Sequence, residues 1–154
     1  LIELLRDSWI ALAKNNSNTA DEKIKEWFSL PYSTFKRLAL FAASQNGCLS
    51  SRTWVNWLLV DNSEWLWSPK TRREVIRLMV LQSCNLTSKD QKSLEGAILH
   101  GPPLSKGSSY ESEKESIDYE TWIRLAKLNS SSHLLSQDGR NILNKLEDIK
   151  LFFN

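Results

Sequence analysis

A chain of 154 residues with 41% hydrophobic and 25% charged side chains is long enough for one folded domain with its own core. Five glycines and four prolines speak against an all-β protein built on many tight turns. A net charge of +2 implies no overall pull toward nucleic acid or an anionic membrane. No window approaches the ~20 apolar residues of a membrane span. The opening "LIELLRDSWIALAK" is too broken by charge for a secretory signal. It starts at Leu1 in a helical pattern without an initiator methionine, as expected of a segment of a longer protein or of a processed chain. Cys48 and Cys84 have no CxxC partner, so two buried reduced thiols in a cytosolic protein are expected, with a single disulfide as the alternative.

Nearly the whole chain reads as helix. Ile2, Leu5, Trp9, Leu12 and Ala13 share one face of the first segment. Thr19 and Glu22 form a capping-box pattern opening "ADEKIKEWFSL", with Ile24, Trp27 and Phe28 inward and Pro31 as its end. "STFKRLALFAASQNG" starts at Ser33 or Thr34 and stops at Gly47; "SSRTWVNWLLVDN" is capped by Ser50 or Ser51. The next helix begins either at Ser68–Pro69 or at the Thr71–Glu74 box, and the one after runs from Thr87 to a stop at Gly101–Pro102. Residues 101–117 are polar, rich in glycine and serine and without period, and predict a flexible loop. Helix resumes behind Asp118, and the last one keeps Ile142, Leu143, Leu146, Ile149 and Phe153 on one stripe.

An internal pattern runs through these helices. "FKRLALF", "VIRLMVL" and "WIRLAKL" share an arginine–leucine pair at 37/38, 77/78 and 124/125, offset by 40 and then 47 residues. The helices that follow keep the same offsets, at Leu59, Leu99 and Leu146. Two helices in fixed order at this period predict an all-α fold of antiparallel helix pairs, stacked as a short HEAT- or armadillo-like solenoid over residues 1–154. An irregular helical bundle is the alternative.

No constellation for catalysis stands out. His100 and His133 have no helical His, Cys or carboxylate partner, and no zinc signature, Walker loop, GxGxxG or GxSxG is present. His100, just before Gly101, suits a helix C-terminus. Glu111, Glu113, Glu115, Asp118 and Glu120 read as a solvated surface, since no apolar surround perturbs their pKa values. No metal and no cofactor is expected.

Two features suit binding instead. Lys70, Arg72, Arg73 and Arg77 face a single Glu74, with Lys36, Arg37 and Arg52 in earlier helices. In a solenoid Arg37, Arg77 and Arg124 would line up as a ladder for phosphates, or cover apolar neighbours and pair with Glu74 and Glu120. Trp54 and Trp57, with Leu58, have core spacing. Trp65 and Trp67 lie two apart in a connector and cannot share one helix face, so one would plug the gap between helix pairs and the other stay partly exposed.

The run "RLALFAAS…WVNWLL…EWLWSPKTRREVIRLM…AILHGPP…DYETWIRLAKL" resembles the helical C-terminal regions of large prokaryotic antiphage-defence proteins, those with a sirtuin-like or STAND-type ATPase domain upstream. Leu66–Trp67, Arg73–Glu74, Arg77–Leu78, Gly101–Pro102–Pro103 and Trp122–Arg124–Leu125–Ala126 carry the likeness, across residues 35–130. It implies a cytoplasmic bacterial protein whose helical part senses a phage-derived ligand or mediates assembly, with catalysis elsewhere; no catalytic residue carries over. The expected function is a non-catalytic interaction module. Its partner would be a protein or other domains of the same chain, with Trp65, Trp67, Lys70, Arg73, Arg77 and Arg37 as contacts. The second expectation is a nucleic-acid-binding helical domain using Arg37, Arg73, Arg77 and Lys70; an enzyme ranks third.

Overall fold

The computed structural model describes residues 1–45, 49–104, 106–132 and 134–153, the last four of these by backbone alone. Among the described residues there are eight α-helices and no strand: α1 (Ile2–Asn15), α2 (Ser17–Ser29), α3 (Ser33–Ala43), α4 (Ser51–Trp67), α5 (Arg72–Gln82), α6 (Ser88–His100), α7 (Tyr110–Ser132) and α8 (Gln137–Phe153). A 3-10 turn, Ser83–Asn85, follows α5. The protein is all-α, as its helical periodicity predicts. No helix of the described residues is long and apolar enough to cross a membrane.

Local chemistry sets most boundaries. Ser50 caps α4 by accepting the Thr53 N–H at 3.4 Å, and Thr87 caps α6 by accepting that of Asp90 at 3.2 Å. Gly101 ends α6 at φ +88°, a conformation that a side chain strains. Two starts differ from expectation. Asn16, not Thr19, caps α2: its Oδ1 accepts the Thr19 N–H at 3.1 Å and lengthens the helix at its start. The predicted loop 101–117 stops short, because α7 begins at Tyr110, well before Asp118. Ser109 Oγ accepts the Ser112 N–H at 3.3 Å, and Glu111 and Glu113 favour the positive end of the helix.

Where the sequence predicts a helix end at Asn62 and a connector carrying Trp65 and Trp67, α4 turns irregularly and then continues to Trp67. Asp61, Asn62 and Ser63 all have φ between 52° and 60°, so the chain makes a left-handed turn before Glu64–Trp67 resume. Each such residue is disfavoured by roughly 1–2 kcal/mol, less for Asn and Asp. Packing on both sides holds the turn: Leu58 before it and Leu66 after it are fully buried.

The core has two parts. Trp9, Ile24, Trp27, Phe28 and Leu38 join α1, α2 and α3, and the Trp9 indole donates to the Ala20 carbonyl at 3.1 Å. The larger part is built on Trp54, Leu78, Met79, Leu94, Ile98 and Leu125. Trp57 and Trp65 pack against both, and Trp57 stacks on Phe28 with centroids 4.4 Å apart and rings 8° from parallel. Trp54 is therefore core, as its spacing predicts, and Trp57 is the seam between the two parts. Sequence neighbours α1–α2, α2–α3, α4–α5, α6–α7 and α7–α8 pack together, and so do α3–α5, α5–α7 and α4–α6. These contacts are compatible with a helical bundle.

The α6–α8 contact rests on a buried carboxylate. Glu95 accepts the backbone N–H and the hydroxyl of Ser136, which itself accepts the Gly139 N–H at 3.1 Å. A Cβ on Gly139 would overlap Glu95 Oε1, so a larger residue here would force that carboxylate away from Ser136.

Candidate functional site

Three helices each supply a pair of residues one turn apart to a single cleft. These are Ile2 and Arg6 from α1, Arg37 and Phe41 from α3, and Arg73 and Arg77 from α5. Thr34, Leu38 and Glu74 complete a lining around about 140 Å³. The opposite faces of the same helices explain the placement. Val75, Leu78 and Met79 are buried under α5, which turns Arg73 and Arg77 outward. Thr71 fixes the start of that helix, buried, with its hydroxyl donating to the Trp65 carbonyl at 2.8 Å.

Phe41 stands at the centre, with the guanidinium carbons of Arg6 and Arg77 each 5.7 Å from its ring centroid. Arg37 donates through Nε to Glu74 Oε1 at 3.0 Å, and Glu74 Oε2 is buried without a hydrogen-bond partner. Arg6 lies 3.5 Å from Asp7, whereas Arg73 and Arg77 hold no ion pair among the described residues. The cleft thus gathers four guanidinium groups against one lining carboxylate.

Of the residues singled out from sequence, the fold brings Arg37, Arg73 and Arg77 together and leaves the other three out of the lining. Lys70 is exposed in the α4–α5 connector, its N–H donating to Ser68 Oγ at 3.2 Å. Trp65 and Trp67 are both half-buried, and each faces a cation of its own chain. Lys36 Nζ sits 5.5 Å from the Trp65 ring and 4.3 Å from that of Phe28, and donates to the Phe28 carbonyl. Burial pushes the Lys36 ammonium below the ordinary lysine range, while Asp61 and Glu64 pull it back up. Trp67 lies under Arg124, 4.6 Å from the guanidinium to the ring centroid.

Arg124 breaks the expected ladder. It is wholly buried, its Nε donating to the Leu66 carbonyl at 3.0 Å and its Nη1 to the carbonyl and carboxylate of Glu120 at 3.0 and 2.5 Å. Arg72 Nε donates to the same carboxylate at 2.9 and 3.0 Å. Burial pushes the Glu120 carboxyl up, but the hydrogen bonds from Arg124 and Arg72 outweigh it and hold the group below its usual range. Burial also lowers the Arg124 guanidinium, against the pull of Glu120. This arginine belongs inside because helix α7 lays it across the end of α4, where a carbonyl and a carboxylate are in reach. The pairings of Arg37 with Glu74, and of Arg124 with Glu120, are the alternative to a phosphate ladder that the sequence left open.

Arg6 and Phe41 are cleft residues that the sequence does not single out. For Arg6 a signal exists: it lies four residues after Ile2 and three before Trp9, on the inward side of α1. The remaining candidates are apart from the cleft. Cys84 is a free thiol and is exposed, against the expected burial, because it sits in the 3-10 turn on the surface; Cys48 lies outside the described residues. His100 ends α6 in solvent and His133 lies outside the described residues. Among the described residues no group of three or more His, Cys, Asp or Glu side chains could hold a metal ion.

No family model, curated protein or solved structure matches this chain.

Proposed function

We propose that this chain is a non-catalytic helical interaction module, a sensor or assembly unit of a larger protein, whose α1–α3–α5 cleft captures an acidic segment of a protein partner. One observation carries this reading: Arg6, Arg37, Arg73 and Arg77 line one cleft with a single carboxylate in its lining, and Arg6 and Arg77 lie over the Phe41 ring. Gathering like charges at one place is unfavourable in the free protein. An incoming acidic segment relieves it, and the same field speeds the encounter. Aromatic and arginine side chains are also the groups that dominate binding energy at interfaces.

A stacked helical repeat suits this role, and its support is twofold: the 40- and 47-residue offsets, and the packing of α3 on α5 on α7 beside α4 on α6. Arg37 and Arg77, equivalent in that repeat, both line the cleft. The resemblance to antiphage-defence proteins gives the context of this proposal, a cytoplasmic bacterial protein with its chemistry in another domain.

Polyglutamate titrated against the chain, read by fluorescence anisotropy, tests the reading. Binding should be lost in the Arg73→Glu/Arg77→Glu variant at unchanged helicity; equal binding by that variant would sink it. The second reading is nucleic-acid binding, favoured by the exposure of Arg73 and Arg77 one turn apart without acid partners. It requires a mixed-sequence oligonucleotide to bind more tightly than polyglutamate and to weaken steeply with salt.

A further inference from the structure

We infer that the group read by this cleft is an aromatic phosphomonoester, its phosphate held by Arg73 and Arg77 and its ring against Phe41. The inference rests on the reading of the cleft as the binding face and names what that face recognises.

Charge comes first. A lone carboxylate is satisfied by one guanidinium fork. Of the four guanidinium groups in this cleft, Arg6 pairs with Asp7 and Arg37 with Glu74, which leaves Arg73 and Arg77 without an acid among the described residues. A compact group carrying about −1.5 to −2 charges with three acceptor oxygens, a phosphomonoester, matches that excess. Planar forks that bond two oxygens at once are what arginine offers a phosphate.

Position follows from Glu74. Its Oε1 holds Arg37, and its Oε2 is buried with no hydrogen-bond partner. A dianion is repelled from that carboxylate and moves toward Arg73 and Arg77, which hold no acid among the described residues. Size then limits what arrives with the phosphate. About 140 Å³ is below the ~300–1,000 Å³ of sites that enclose a whole small molecule. There is room for one head group and the start of its carrier, not for a run of nucleic-acid backbone.

The walls decide the carrier. Phe41, Leu38 and Ile2 form an apolar side to the cleft that inorganic phosphate or phosphoserine leaves unused. An aryl ring packs on Phe41 in the offset or edge-on manner of aromatic pairs. Phosphotyrosine of a partner protein carries this chemistry, its phosphate borne directly on the ring; a free nucleoside monophosphate carries its phosphate on the sugar, away from the aromatic base, and is the contrasting ligand.

Calorimetric titration of the whole chain with phenyl phosphate, inorganic phosphate, phosphotyrosine and adenosine monophosphate tests it. Phenyl phosphate should bind at least about tenfold more tightly than inorganic phosphate, a difference within reach of one aromatic contact. Phe41→Leu should erase that preference while inorganic phosphate binding stays, and Arg73→Gln/Arg77→Gln should weaken both ligands at least about tenfold. Circular dichroism and urea midpoints establish that each variant is folded. Phenyl phosphate binding no better than inorganic phosphate, or binding indifferent to the two arginines, overturns the inference. Adenosine monophosphate tighter than phosphotyrosine overturns the protein source. Binding of polyglutamate without phenyl phosphate would fell this inference alone, and binding of neither would fell the interaction reading with it.

Discussion

Two arginine clusters occupy opposite states in this molecule. Around Glu120, Arg72 and Arg124 are engaged: Arg124 reaches a backbone carbonyl, a carboxylate and the face of Trp67, and none of it meets water. In the cleft beside Phe41, Arg73 and Arg77 hold no acid among the described residues. Arg37, Arg77 and Arg124 occupy equivalent places before a leucine in the same helical phrase, so local sequence does not decide between the two states. The neighbouring helix decides, by bringing an acceptor within reach or withholding one. The first cluster ties α7 to the end of α4; in the second, Arg73 and Arg77 have no acid partner among the described residues and Arg77 has only the Phe41 ring beside it.

The contrast breaks most visibly at Arg124. Arg124→Ala strips a carbonyl and a carboxylate of their donor and leaves a hole, so it should cost about 3–5 kcal/mol in urea unfolding. Arg124→Met, which keeps the volume, should cost less. A cost under about 1 kcal/mol for the alanine variant would make this arginine no more structural than those of the cleft. The aromatic partners give the next largest difference. Trp67→Leu loses ring area and the cation above it, for about 2 kcal/mol or more, whereas Phe41→Leu in the open cleft should lose about 1 kcal/mol or less. Similar losses at the two rings would erase the distinction.

Acid sharpens the same comparison. The folded Glu120 carboxyl lies below its ordinary value, because donation from Arg124 and Arg72 outweighs the effect of burial. A depressed folded pKa contributes stability fully present above the ordinary glutamate range and lost as the pH falls through the folded value. Urea midpoints should therefore drop on acidification below that range, and Glu120→Gln should flatten this part of the curve. An unchanged slope in Glu120→Gln would mean that the cluster holds no linked proton.

How much of this was legible in sequence depended on the distance over which each feature is decided. Thr87 and Gly101 act within one turn and are legible, as is the α4 cap down to the choice of Ser50 or Ser51; so is Trp54, whose burial follows from helical spacing. The start of α7 was missed because nothing from Tyr110 to Glu120 is buried, and a helix that packs on little shows no hydrophobic period. Arg124 was misplaced because its burial is set by Leu66, more than fifty residues away. Arg6 shows its inward side in the spacing from Ile2 and Trp9, but the cleft it enters is made by the docking of α1 on α3, a contact between separate helices. Trp65 and Trp67 carried an aromatic signal whose cations, Lys36 and Arg124, come from other helices.

The smallest effect is the most diagnostic for the cleft. Arg73→Gln with Arg77→Gln removes two charges that lack acid partners and face a cluster of their own sign. Stability should change by no more than about 0.5 kcal/mol, and the change should be toward greater stability at low ionic strength. Salt screens the repulsion in the unaltered chain, so added salt should narrow the gap between the two proteins. A clear loss of stability instead would mean that these guanidinium groups hold the helices together as Arg124 does. The near-neutral outcome matters for function, because a charged cluster that the fold does not need for its own stability is available to a ligand.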